Sequence, residues 1–229
     1  MRLVLALLIL SSLLACTHKG AVTSRPFSLG NLAKTDTDMV ADLHLAQSLE
    51  QLRLMMAKLY RRNPNQWRDH GHRSLDSAVD FLFSLGPAQV PGPLKDYDPA
   101  TMVQLAFTPG YPGDRVLAFV GGLRQMTFAA YGNRREQFWL DELDPQSLYN
   151  CARNYEVAAW KLRTLTDERG LPWLHSTELS GPEPNLSFER LFGKLIGQQD
   201  IMARIVADST NRRIKTVVQS VASAVFLPI

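Results

Sequence analysis

Cysteine is almost missing from this chain: Cys16 and Cys151 are the only two among 229 residues. Their scarcity excludes a disulfide-stapled scaffold and the paired-cysteine patterns of structural zinc sites. Charge of one sign is lacking as well. The 25 basic and 22 acidic residues become 24 and 22 once Arg2 is set aside, and so small a surplus predicts no strong attraction to nucleic acid. Long hydrophobic runs are absent too. The apolar stretch Leu3 to Leu14 is twelve residues long with Ser11 and Ser12 inside it, short of the roughly 20 a membrane-crossing helix needs. No segment sustains the period-two alternation of half-buried strands, and no internal repeat marks a solenoid.

What is present begins at the first residues. A positive charge at Arg2, the short apolar run and small Ala15 match the three regions of a secretory signal peptide. Leu13-Leu14-Ala15-Cys16 resembles the lipobox of bacterial lipoproteins. In that family the cysteine thiol receives a diacylglyceryl group, the chain is cut before it and the freed amine is acylated, so the resemblance implies lipid on Cys16. Two or more acyl chains, at about 0.8 kcal/mol per buried methylene, hold a protein firmly to a bilayer. Thr17, in the place where Asp retains enterobacterial lipoproteins at the inner membrane, implies the outer membrane, with the protein facing the periplasm. The alternative is a signal peptide cut elsewhere, after Ala21 for instance, which leaves Cys16 without a role.

Removing residues 1–15 leaves 214, enough for one domain with a substantial core. Residues 16–35 are small, mixed and without a period. Read as a flexible tether beyond the lipid site, they would span roughly 24 Å root-mean-square. Residues 36–229 form the expected globular domain.

Helical punctuation then repeats. Thr35, Asp36 and Thr37 offer N-cap oxygens ahead of Leu45, Leu49, Leu52, Met56 and Leu59, spaced for one helical face, and Pro64 ends that helix. Ser74 opens a second helix. Asp98-Pro99 and Asp144-Pro145 each supply a cap followed by a proline suited to the first helical position. In the helix after Pro145, Leu148, Cys151, Tyr155, Ala158, Leu162 and Leu165 share a stripe that Gly170 would terminate. Val116 to Tyr131 is apolar on nearly every side, with Arg124 its one charge, and reads as the central helix. A further helix starts near Ser187, and Ile214, Val217, Val221 and Val225 place a last one at the end. The fold expected is an all-α, single-domain bundle of about seven helices around 116–131.

Candidate chemistry is thin. His70-Gly71-His72 sits in a polar stretch without further metal ligands, so no metal or other cofactor is expected. Cys151 falls on a buried stripe, where a thiol is a small hydrophobe rather than a nucleophile. Gly121 and Gly122 beside Arg124 have two readings. They could admit a ligand or partner to the backbone while Arg124 binds its carboxylate or phosphate, or they could serve close helix packing with Arg124 paired to an internal acid. Arg61, Arg62, Arg68, Arg73, Arg134, Arg135, Arg212 and Arg213 form local basic clusters that either touch anionic lipid or wall polymer or are solvated helix ends. Trp173, His175 and Glu178 share the 171–186 loop, a candidate site for a cell-wall or other periplasmic hydrolase. The expectation is a membrane-held, non-enzymatic binding or scaffold protein, whose partners are the membrane through Cys16 and an envelope protein or peptidoglycan. The hydrolase is the alternative.

Overall fold

Thr35 and Asp38 cap each other: the Thr35 hydroxyl accepts the Asp38 N–H at 3.1 Å and Asp38 Oδ2 accepts the Thr35 N–H at 2.7 Å. This reciprocal cap fixes the start of the first helix in a computed structural model that describes residues 34–138, 141–178, 185–210, 214 and 225–229. Seven α-helices occur among the described residues: α1 (Asp36–Arg62), α2 (Pro64–Arg68), α3 (Leu75–Phe83), α4 (Pro99–Leu105), α5 (Arg115–Ala130), α6 (Pro145–Thr164) and α7 (Ser187–Thr210). A 3-10 turn covers Gly92–Leu94, and two isolated β-bridges are the extended pairing among the described residues. The fold is all-α.

Local chemistry sets the helix starts. Ser74 accepts the Ser77 N–H, Asp98 the N–H groups of Ala100 and Thr101, and Asp144 those of Gln146 and Ser147. Each cap satisfies amides that have no partner inside the helix.

The four long helices close a ring of contacts, in which α5 meets α1 and α6 while α7 meets α6 and α1. α4 covers another side of α5, and α3 lies on α1. As a result every residue from Val116 to Phe128 is buried. Phe119 stands edge-on to Phe107 and Phe192, with ring centroids 5.6 and 6.5 Å away, at the point where α5 faces α7. Such tilted pairs are favoured by the ring quadrupole.

Two boundaries differ from expectation. Pro64, which ends α1, also starts the short α2 inside the polar stretch before Ser74, where no helix is expected. α6 ends at Thr164, well before Gly170, because Asp167 builds its own turn: its Oδ1 accepts the N–H groups of Arg169 and Leu171. Gly170, at φ +76, belongs to that turn. The expected last helix falls largely on residues outside those described.

Lys34 fastens the beginning of the domain. Its ammonium lies 2.5 Å from Asp42 Oδ2 and 2.9 Å from Glu136 Oε2, over the Phe138 ring. Asp42 Oδ1 accepts the Gln137 N–H at 2.7 Å, so one carboxylate ties α1 to both segments. No helix among the described residues is long and apolar enough to cross a membrane.

Candidate functional site

The loop after α6 is held by one asparagine. Asn63, at the end of α1, donates its Nδ2 to the His175 carbonyl at 3.0 Å, and its Oδ1 accepts the His175 N–H at 2.9 Å. A primary amide thus pairs with both backbone groups of one residue. Ser176 donates to the Leu162 carbonyl, and Leu174, just before these two anchors, is buried. The side chains of His175 and Glu178 are left exposed by this arrangement.

His175 and Glu178 then line one surface cleft of about 520 Å³ with Arg62, Arg163, Pro172 and Thr177. Glu178 Oε2 accepts from the Arg62 guanidinium at 2.9 Å, a half-exposed pair. Trp173 is not with them: its ring stacks on the Arg115 guanidinium, 4.3 Å from the ring centroid. Of the three loop residues singled out in the sequence, the fold therefore joins His175 and Glu178 and sends Trp173 elsewhere. The cleft carries two arginines and one carboxylate that is already paired, a balance suited to holding an anionic group.

Gly121, Gly122 and Arg124 lie inside the protein. A Cβ on Gly122 would stand 2.6 Å from the Pro99 carbonyl oxygen and 2.7 Å from Val103 Cγ2, so this glycine is what lets α4 lie against α5. At Gly121 the nearest atom would be Leu94 Cδ1 at an ordinary 3.5 Å. Close packing accounts for Gly122, and Gly121 has room for a methyl group.

Arg124 is 1% exposed. The acid partner expected for it does not occur among the described residues. Instead Nη2 donates to the carbonyls of Leu85 and Gly86 at 2.6 and 2.9 Å, Nη1 donates to that of Gln89 at 3.3 Å, and the guanidinium lies on the Phe128 ring. These carbonyls follow α3, where backbone oxygens lack helical partners. Burial, with Arg135 nearby, lowers the guanidinium to about 10. Arg135 also donates to the Leu85 carbonyl.

The other candidates are accounted for by packing or pairing. Burial pushes the Cys151 thiol up to about 12, which removes the thiolate that nucleophilic or metal chemistry needs. Both ring nitrogens of His70 face carbonyl oxygens, those of Gln66 and Pro112, and His72 tilts against Phe81. Among the described residues no three His, Cys, Asp or Glu side chains come together as a metal site. Arg134 pairs with Asp141, and Arg212 and Arg213 lie outside the described residues.

Sequence reasoning missed the asparagines. Asn63, Asn150 and Asn154 are buried or nearly so and all bond to backbone. The available signal was Asn150 and Asn154 at i and i+4 inside α6, two poor helix formers on one face.

No family model matches the chain, and comparison with curated proteins and with solved structures finds no match.

Proposed function

We propose that this is a lipid-anchored envelope protein, held to the outer membrane through Cys16 and facing the periplasm. In this reading its helical domain binds another envelope component, protein or polymer, without transforming it. The observation that carries the reading is Leu13-Leu14-Ala15-Cys16, in register with Arg2 and the apolar run. Two features of the domain support it. Cys151 is enclosed in the core, so Cys16 has no cysteine available to pair with. Lys34 is fastened to Asp42 and Glu136, which leaves residues 17–33 between the lipid site and the packed domain. Mass spectrometry of the mature N-terminus in a diderm bacterial host tests the proposal. An acylated Cys16 as first residue is the expected result, and an unmodified N-terminus at another position overturns it.

The cleft of His175 and Glu178 favours a second reading, a wall-directed hydrolase in which Glu178 acts as acid or base beside the cationic Arg62 and Arg163. Incubation with purified peptidoglycan decides it. Release of soluble fragments that is lost in Glu178→Gln, with thermal stability unchanged, supports catalysis; no release by the native protein removes this reading.

A further inference from the structure

Asn154 is 1% exposed, and its side chain is spent on a segment 73 residues away in sequence. Its Oδ1 accepts the Leu227 N–H at 2.6 Å and its Nδ2 donates to the Leu227 carbonyl at 2.9 Å. Both backbone groups of one residue are paired with a primary amide, much as a neighbouring strand would pair them. One turn earlier on the same face of α6, Asn150 donates to the Pro228 carbonyl at 2.8 Å. A further turn back, Gln146 donates to Asn150 Oδ1 at 2.9 Å and so fixes which way that amide points. At the other end, the Lys161 ammonium stands 5.6 Å over the Phe226 ring. Three successive residues are thus read as a ring, a complete backbone amide and a lone carbonyl.

What is recognised is backbone more than side chain. Val225 remains 60% exposed and Ile229 38% exposed. Beside Pro228 and Ile229 a cavity of about 220 Å³, lined by Pro99, Ala100, Met126 and Ala129, is left unfilled. This cleft opens to solvent and leaves room beside the segment for a further side chain. The amides, by contrast, demand an occupant: Asn154 and Asn150 are enclosed, and a buried amide left without partners is costly.

We propose that this face of α6 is a peptide-binding groove, occupied in cis by residues 225–229, whose partner is an extended segment of another polypeptide. The partner carries an aromatic residue, then a residue with a free N–H, then proline, then a large apolar side chain. Proline suits the third position because no donor is asked of it there and its fixed backbone lowers the ordering cost. The fourth reaches the unfilled cavity. This assignment rests on the binding role proposed above and locates it. Its test reads the groove directly and needs neither lipid nor a captured partner, so the two can fail separately.

The probe is a fluorescent, amidated peptide with the sequence of residues 224–229, titrated against the full-length protein. In the native chain the cis segment competes at an effective concentration on the order of millimolar, and the probe binds weakly. Leu227→Pro removes the N–H that Asn154 accepts and frees the groove, so the probe should bind at least about tenfold tighter. Adding Asn154→Ala to that variant should return binding to the native level. Equal binding by the native and Leu227→Pro chains, or indifference to Asn154→Ala, overturns the proposal. Should Leu227→Pro not fold, the native chain decides by NMR. With excess unlabelled peptide the Ile229 methyl signals should move to free-chain positions, and methyl signals that stay in place at saturating peptide overturn it.

Discussion

Tyr60 and Asp114 are joined by a hydrogen bond of 2.7 Å from the phenol to Oδ2. The bond links the end of α1 to the residue that caps α5, whose Oδ1 accepts the Leu117 N–H at 2.9 Å. Both side chains are buried, so each leaves the other unsatisfied if it is removed. Burial raises the Asp114 carboxyl above its ordinary range, against the hydrogen bonds from Leu117 and Tyr60 that lower it. An acid raised on folding binds more protons folded than unfolded, so its contribution to stability declines as pH rises through that window. Asp114→Asn keeps an acceptor for the cap without the charge. It should lie within about 1 kcal/mol of the native protein at pH 7, and any gain should shrink toward pH 4 as the native carboxyl protonates. Asp114→Ala should lose about 2 to 4 kcal/mol. Urea denaturation of both variants across pH checks this.

The two adjacent glycines of α5 should behave oppositely. Gly122→Ala drives a methyl into the Pro99 carbonyl and Val103, and should cost about 1 to 3 kcal/mol by overpacking. Gly121→Ala meets Leu94 and Leu82 at ordinary distances. It should be neutral or stabilise by up to about 1 kcal/mol through helix propensity. Thermal melts of the pair separate a packing role from a shared role in ligand approach, which would instead leave both variants folded and equally impaired in binding.

That contrast also shows what the sequence could and could not disclose. Caps such as Ser74, Asp98 and Asp144 were legible because the atoms they bind lie two or three residues away. The apolar circumference of α5 was legible because residue type alone sets it. For Gly122 the sequence offered close packing as one of two readings, and the choice between them depends on a carbonyl of another helix. Arg124 misled for the same reason: a charge suggests an opposite charge, but backbone oxygens answer it, and they carry no signature in the sequence. Asn63, Asn150 and Asn154 find partners between 73 and 112 residues away, where only the fold brings them.

Arg124 therefore gives a sharp test. In Arg124→Met the Leu85 carbonyl keeps Arg135, the Gln89 carbonyl keeps Gln125 and the Gly86 carbonyl keeps the Gln89 N–H, so each loses one donor and retains another. The cost should be about 1 to 3 kcal/mol, from the lost hydrogen bonds and packing with no carbonyl orphaned. Arg124→Lys should recover only part, because an ammonium cannot fan across three oxygens. Chemical denaturation measures both, and equal stability of the Lys variant and the native protein would show that charge alone suffices.

Lys34→Met should cost about 2 to 4 kcal/mol, since it takes the cation away from enclosed Asp42. Burial lowers the Lys34 ammonium, but its hydrogen bonds and charge pairing with Asp42 and Glu136 outweigh that and raise it. A base raised on folding stabilises fully below its unfolded value of 10.5 and loses that contribution as pH rises through the folded one. The difference between native and Lys34→Met proteins should hold from pH 7 to about 10 and narrow above it, as followed by guanidinium titrations.

Cys151 supplies the alkaline counterpart. Its thiol ionises at 9.0 in the open chain and is pushed up to about 12 by burial, which outweighs the hydrogen bond with Tyr155. The folded state thus holds a proton that the unfolded state releases, and stability should fall as pH rises from 9 toward 12. Buried Tyr155 and Tyr131 are raised in the same direction and steepen the fall. In a chain carrying Cys16→Ser, the remaining thiol should resist an aromatic disulfide reagent at pH 8 and react only through unfolding. Its labelling should be slower than that of the denatured protein by about a thousandfold or more, as expected where exchange needs global opening. Cys151→Ala should lose a little stability at pH 7 and flatten the alkaline decline by one proton's worth. Rapid labelling of the folded protein would instead mean that α6 opens locally around Cys151, and the groove built by Asn150 and Asn154 on the same helix would then loosen with it.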